Sequence, residues 1–177
     1  MHGLIFASLR RYTWTTFPDA AAAIWDALPA YVQQESYPDD EFETAVQRVA
    51  DVTGTPREKL LRDLGRFTGF WTFRAMRLDY YERTPGTREF LLNVESRIHE
   101  TIRATTDGAA PPRLRVTPLG HDGVTIAYTS ERGLCQLLEG LVGGVADYYG
   151  ERFDVSQPLC MHRGDAACSF VVTPTSA

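Results

Sequence analysis

The sequence predicts an α+β fold, with a helical N-terminal part packed on a C-terminal part that combines a four-stranded antiparallel sheet with long helices. Three observations lead there. Apolar residues recur at helical spacing through the first two-thirds of the chain. After "DGAAPPRL" two pairs of stretches alternate polar and apolar positions and are rich in β-branched residues. A helix-length stretch stands between the two pairs. With 177 residues, 44% hydrophobic and 23% charged, the chain can bury one good core and has ordinary globular composition.

Taken in order, "MHGLIFASLRRYTW" starts a first helix. Its basic residues Arg10 and Arg11 follow the apolar stretch and no small-residue cleavage site comes after, so it reads as mature protein and not as a signal peptide. "PDAAAAIWDALPAYV" opens with Pro18 and Asp19, a helix-start signal, and its alanines favour helix. "YPDDEFETAVQRVADVTG" has acids in its first turn, an apolar face of Phe42, Ala45, Val46 and Val49, and Gly54 as its stop. "TPREKLLRDLGRFTGFWTF" restarts with Thr55 as N-cap and Pro56 at the first helical position. A looser stretch, "RLDYYERTPGT", leads into a helix whose apolar positions are Leu91, Leu92, Val94, Ile98 and Ile102.

"RLRVTPL" and "GVTIAYTSE", joined by the turn "GHDG", predict a hairpin. "GLCQLLEGLVGGVADYYG" returns to helical spacing through Leu134, Leu137, Leu138, Leu141, Val142 and Val145. "RFDVSQPL" and "ACSFVVT" predict a second hairpin, joined by "CMHRGDA". No repeat or interdomain linker is present, so the helical and α+β parts are expected to share one core.

Charge and cysteines narrow the function. A formal charge of −5 argues against a nucleic-acid surface, which needs clustered Lys and Arg. No apolar run approaches the ~20 residues that span a bilayer. Three cysteines do not suit a secreted disulfide scaffold, and a cytoplasmic location with reduced thiols is expected. No Ser-His-Asp ordering, P-loop or HExxH motif is present. His2 and His121 read as surface residues.

Two constellations remain. His99, seven residues after Leu92 and three before Ile102, falls on or beside the apolar stripe of its helix. It is either a core histidine satisfied by a backbone carbonyl or the axial ligand of a metal such as haem iron. In "YTSER", the residues Tyr128, Ser130 and Arg132 alternate, so an extended segment would present all three to one side. Together they could hold a ligand carboxylate, or they are a polar strand face ending in a salt bridge.

The order and spacing of His99, "APPRL" and the Y-x-S-x-R of "YTSER" resemble the haem nitric oxide/oxygen-binding (H-NOX) family, the sensor domains of soluble guanylate cyclases and related bacterial gas sensors. The similarity runs from "MHGLIF" through "YPDDEF" and "VTGTPREKLLRDLGRF" to "SERGLCQLLEGLVGGVADYYG". It implies a bacterial stand-alone member, not an enzyme, with a helical subdomain at about 1–65, an α+β subdomain at about 66–177, and haem b between them. His99 then matches the proximal ligand of the haem iron, and Tyr128, Ser130 and Arg132 match the residues that hold the propionates. Pro112 matches a proline that bends the macrocycle, and Asp39 an acid that pairs with the motif arginine.

Oxygen-holding members are expected to use a distal tyrosine. The matching position here is Leu137, and Ile5, Leu9 and Leu141 make the rest of that wall apolar, so nitric oxide binding with exclusion of oxygen is expected. A donor such as Tyr12 or Thr68 would overturn that expectation. The resemblance also implies that nitric oxide weakens the iron–histidine bond and that a partner reads the change. With no room for an output domain, the readout would be in trans, by a histidine kinase or a cyclic-dinucleotide enzyme. A haem peroxidase is disfavoured, because an apolar distal wall has no acid–base residue.

The three cysteines give a second reading. Cys160 and Cys168 flank a turn, His162 follows the first by two residues, and Cys135 begins the preceding helix. Cys135, Cys160, His162 and Cys168 together make a complete tetrahedral zinc set. Some bacterial family members carry a cysteine cluster in this region that is associated with zinc and redox sensing. The four-cysteine version is not matched here, since one expected position is Gln157. Semi-buried thiols beside a solvent-facing His162, or a Cys160–Cys168 disulfide, are the alternatives. The rival function is a haem-independent zinc or thiol redox sensor in the same fold.

Overall fold

A computed structural model describes residues 1–72 and 82–175. Four helices come first. Helix α1 (Gly3–Thr16) is capped by His2, whose Nδ1 accepts the Leu4 N–H at 3.2 Å, so His2 is a structural cap and not the plain surface residue expected. Helix α2 (Pro18–Trp25) begins on its proline as expected but stops early; the stretch expected to continue it contains Pro29, which has no N–H to donate. Helix α3 (Asp39–Thr53) carries three acids in its first turn and ends at Gly54 with φ 67°. Helix α4 (Arg57–Phe67) starts one residue later than expected, with Pro56 as its extended N-cap, and its Arg57 forks onto Glu43 of α3. A π-helical turn over Thr68–Thr72 follows. Residues 77–81 of the looser stretch, and Phe73 at the end of the preceding one, lie outside the described residues.

The helix that holds His99 is continuous but changes pitch. Helix α5 (Thr87–Val94) passes into a π-helical turn, Glu95–His99, and then into α6 (Glu100–Thr105). Both expected hairpins form. Strands β1 (Arg113–Leu119) and β2 (Gly123–Thr129) pair antiparallel, as do β3 (Phe153–Leu159) and β4 (Cys168–Pro174). The β2–β4 pairing joins them into one sheet of order β1-β2-β4-β3. Alternate residues of the inner strands, Val124, Ile126 and Tyr128 with Cys168, Phe170 and Val172, are buried on one face.

Between β2 and β3 runs helix α7 (Cys135–Tyr149), ended by Gly150 at φ 68°. It crosses α4 at backbone contact distance. A Cβ on Gly140 would lie 2.0 Å from the Arg62 carbonyl oxygen, and one on Gly65 would lie 2.2 Å from that of Leu137. The expected single core is in fact two clusters. One lies among α1–α4 (Phe6, Leu9, Ile24, Phe42, Leu64), and the other lies between α5, α7 and the sheet (Phe90, Ile126, Val142, Phe170). Helix α7 belongs to both, giving Leu134's neighbour Leu137 to the first and Leu138 and Val145 to the second. They are two because a cavity lined by residues of both opens where α1, α5 and α7 meet.

Candidate haem site

The cavity holds about 300 Å³ and its walls are mostly apolar. Helix α1 supplies Leu4 and Ile5, α7 supplies Leu137 and Leu141, and the His99 helix supplies Leu91, Val94, Ile98 and Ile102. His99, Pro112, Tyr128, Ser130 and Arg132 all line it as well, so the structure brings together the two constellations that the sequence left far apart. Leu9 is the exception among the expected wall residues. It is fully buried in the α1–α4 cluster and does not reach the cavity, because one turn beyond Ile5 the helix has entered the N-terminal bundle.

His99 is largely buried, with 14% of its side chain exposed. Burial lowers its pKa below the ordinary histidine value, outweighing the Glu95 carboxylate and the Pro112 carbonyl, which raise it. A neutral imidazole is the form that ligates a metal. Its Nδ1 lies 2.9 Å from Glu95 Oε2, a carboxylate four residues earlier in its own helix, and the Pro112 backbone carbonyl is a second bonding partner of the ring. The sequence reading did not single out Glu95, although its i, i+4 spacing to His99 is a visible signal.

The Tyr128, Ser130 and Arg132 set is built differently from the extended segment expected. Strand β2 ends at Thr129, and the chain turns, with the Gly133 N–H donating to the Ser130 carbonyl at 3.2 Å. Gly133 has φ 59°, which permits that turn. The three side chains still converge. The Tyr128 hydroxyl accepts the Leu134 N–H at 3.1 Å, and its pKa is raised by burial although Ser130 bonds to it. Arg132 donates through Nε to Asp39 at 2.7 Å and through Nη1 to the Ala110 carbonyl. Burial would raise the Asp39 pKa, but its bonds, first to Arg132, hold it below the usual carboxylate value. The expected Asp39–Arg132 pair is present and ties α3 to the turn after β2.

Tyr12 and Thr68 do not line the cavity. Tyr12 packs its ring on Phe17 and Phe67, and the Thr68 hydroxyl is spent on the Leu64 carbonyl at 2.7 Å. Among the described residues, the α1 and α7 walls present only apolar side chains to the cavity. A neutral imidazole facing apolar walls, with a guanidinium and two hydroxyls nearby, fits haem with its carboxylate-bearing edge.

The thiols of Cys135, Cys160 and Cys168 form a second constellation, all buried and all within 4.8 Å of one another. Cys135 and Cys160 are 3.9 Å apart, and the Met161 N–H points at the Cys168 sulfur from 3.3 Å. Burial pushes the Cys135 thiol up to about 12. At Cys160 burial acts the same way but is outweighed by bonds from the His162 backbone and neighbouring thiols, and its pKa falls. His162 does not join them. Its side chain faces outward, with Nε2 2.7 Å from the Gly133 carbonyl, because the short 3₁₀ turn Met161–Arg163 aims it away from the sheet.

Fold and cavity together are those of a domain with an apolar pocket suited to a haem. A family model described as Haem-NO-binding matches residues 4–157. The chain belongs to this family, the H-NOX domains, a family of haem-based gas sensors. An H-NOX protein from S. oneidensis in the Fe(II)NO ligation state is similar over 99% of this chain and 100% of its own, at 21% identity and TM-score 0.89. An unliganded Fe(II) H-NOX protein from K. algicida matches over 100% and 98%, at 17% identity and TM-score 0.82. An oxygen-binding H-NOX domain related to soluble guanylate cyclases, solved as its oxygen complex, matches over 100% and 98%, at 20% identity and TM-score 0.82. No curated protein sequence matches the chain. No helix among the described residues is long and apolar enough to cross a membrane.

Proposed function

We propose that this chain binds haem b through His99 and senses nitric oxide while excluding oxygen. The observation that carries the reading is the meeting, in one apolar cavity, of a neutral buried imidazole with Tyr128, Ser130 and Arg132. Bound there, haem would supply a ferrous iron able to take an imidazole nitrogen and a diatomic gas. His99 holds that iron. Arg132, fixed by Asp39 and Ala110, presents its guanidinium to the propionates, and Ser130 and the Tyr128 hydroxyl complete the contact. Pro112, in the loop before β1, lines the cavity and would press on the ring.

Selectivity follows from what the α1 and α7 walls lack. Ile5, Leu137 and Leu141 present no hydrogen-bond donor, so a polar oxygen adduct is left unstabilised, whereas nitric oxide needs no such bond. On this reading residues 1–65 and 66–177 act as two subdomains that shift against each other, and a partner such as a histidine kinase or a cyclic-dinucleotide enzyme reads the shift.

The test is the visible spectrum of the purified ferrous protein under argon, in air and with nitric oxide, beside His99→Ala. The reading requires a haem band that ignores air, shifts with nitric oxide and is altered in the variant. A stable oxygen complex would refute the selectivity, and absence of haem after reconstitution would refute the cofactor.

A second reading is favoured by the thiol cluster. Cys135, Cys160 and Cys168 would hold a zinc ion, and two of the sulfurs, those of Cys160 and Cys168, already receive backbone N–H bonds of the kind that favour a thiolate. With His162 turned away, the fourth ligand would be a water or a side chain other than His162. On this alternative the cluster signals by itself as a zinc or thiol redox sensor, and His99→Ala leaves signalling intact.

A further inference from the structure

Glu95 is more than an acid on the helix surface. Its Oε2 receives His99 Nδ1 at 2.9 Å and the backbone N–H of Leu114 at 3.2 Å, while its Oε1 receives the Arg103 guanidinium. One carboxylate thus joins two successive turns of the His99 helix to the second residue of β1. An exposed i, i+4 pair makes no such bond to a strand, and only 27% of the Glu95 side chain is exposed. The π-helical turn runs from Glu95 to His99, so the helix changes pitch over the span that sets these two side chains together.

We propose that Glu95 is a positioning residue for His99, fixing its tautomer and strengthening it as an electron donor, and that Arg103 moderates the effect. The inference rests on His99 being the haem ligand. A carboxylate accepting from Nδ1 keeps the proton there and leaves Nε2 as the ligating nitrogen. The same charge-assisted bond gives the ring partial imidazolate character, which makes Nε2 more basic. Arg103, bonded to the other oxygen, withdraws part of that negative charge. Removing Glu95 should weaken the donor, and removing Arg103 should strengthen it. The bond from Leu114 N ties the carboxylate, and through it the imidazole, to the sheet two residues beyond Pro112.

The experiment is resonance Raman spectroscopy of the ferrous, gas-free, haem-loaded protein. It compares the iron–histidine stretch of wild type, Glu95→Gln and Arg103→Met, with His99→Ala to assign the band. The expected result is a lower frequency in Glu95→Gln and a higher one in Arg103→Met. Haem retention, followed by transfer to apomyoglobin, should fall about 10–100-fold in Glu95→Gln. Opposite shifts separate polarisation from simple loosening of the helix, which would lower both. An unchanged stretch in Glu95→Gln, or downward shifts in both variants, overturns the proposal. Should Glu95→Gln fail to fold by circular dichroism, Arg103→Met decides alone: an upward shift supports the proposal and any other result overturns it. A wild type with no His99-dependent band overturns the proposed function itself, and this inference with it.

Discussion

Replacing Gly140 with alanine tests the closeness of the α4–α7 crossing, on which the cavity wall depends. The new Cβ would stand 2.0 Å from the Arg62 carbonyl oxygen and 2.9 Å from both the Arg62 carbonyl carbon and the Arg66 nitrogen. Ordinary contact begins at 3.4 Å, so the helices must part locally by about 1.4 Å. All three obstructing atoms are backbone, and no side-chain rotation relieves them. A gap of ~0.5–1 Å already forfeits a quarter to a half of each dispersion contact. Overpacking of this kind costs about 3 kcal/mol, the upper end of the usual range. For a chain of this size that lowers Tm by roughly 6–12 °C. Gly143→Ala is the internal control. It sits in the same helix, its nearest neighbour is Arg66 Nη1 at 4.0 Å, and alanine there should add about 0.5–1 kcal/mol through helix propensity. Thermal unfolding of the two variants followed by circular dichroism compares them directly. Equal melting temperatures would refute the claim that this crossing needs glycine.

Leu137→Tyr should place a hydroxyl in the cavity and give the ferrous haem protein an oxygen-dependent visible spectrum that wild type lacks; no response to air would count against the distal-wall argument. Glu43→Gln should cost less than about 1 kcal/mol at pH 7, because the Arg57 pair is half exposed. The Arg57 bond, more than offsetting burial, depresses the Glu43 pKa below 4.5, so its stabilisation is present above that pH and lost as pH falls through the lowered value. Urea unfolding should therefore show wild type and variant converging in acid, and a gap independent of pH would contradict the assignment. Cys168→Ser should abolish zinc uptake measured by elemental analysis, and His162→Ala should leave it unchanged. Equal loss in both would return His162 to the ligand set.

Local signals in the sequence carried most of the fold. Pro18, the acids of Asp39–Glu41, Gly54 and the alternation of "GVTIAYT" each mark a boundary or a face by backbone chemistry alone, and the helices and both hairpins follow from them. Global packing was not legible in the same way. That Leu9 falls in the bundle while Ile5 reaches the cavity depends on where α1 meets α7, and nothing in a 3.6-residue period fixes that. The end of β2 at Thr129 was hidden because "YTSER" keeps its alternation after the backbone has turned. His162 was misplaced for a related reason: four ligand-type residues at zinc spacing say nothing about which way a 3₁₀ turn aims one of them. Glu95 was visible at i, i+4 from His99, but its bonds to Arg103 and to the β1 backbone required the fold.

Helix α7 touches both candidate sites within a single turn. Leu137 and Leu138 face the cavity, while Cys135, two residues earlier, lies among the thiols. A molecule that rigidifies this turn from one side lowers the entropy left for an occupant of the other side to remove. Linkage makes that relation reciprocal: whatever factor a metal at the thiols imposes on affinity in the cavity, the cavity's ligand imposes on the metal. Titrating metal against haem-free and haem-loaded protein would therefore measure one coupling constant from either end. A coupling constant different from one would mean that affinity in the cavity carries a record of what is bound at the thiols.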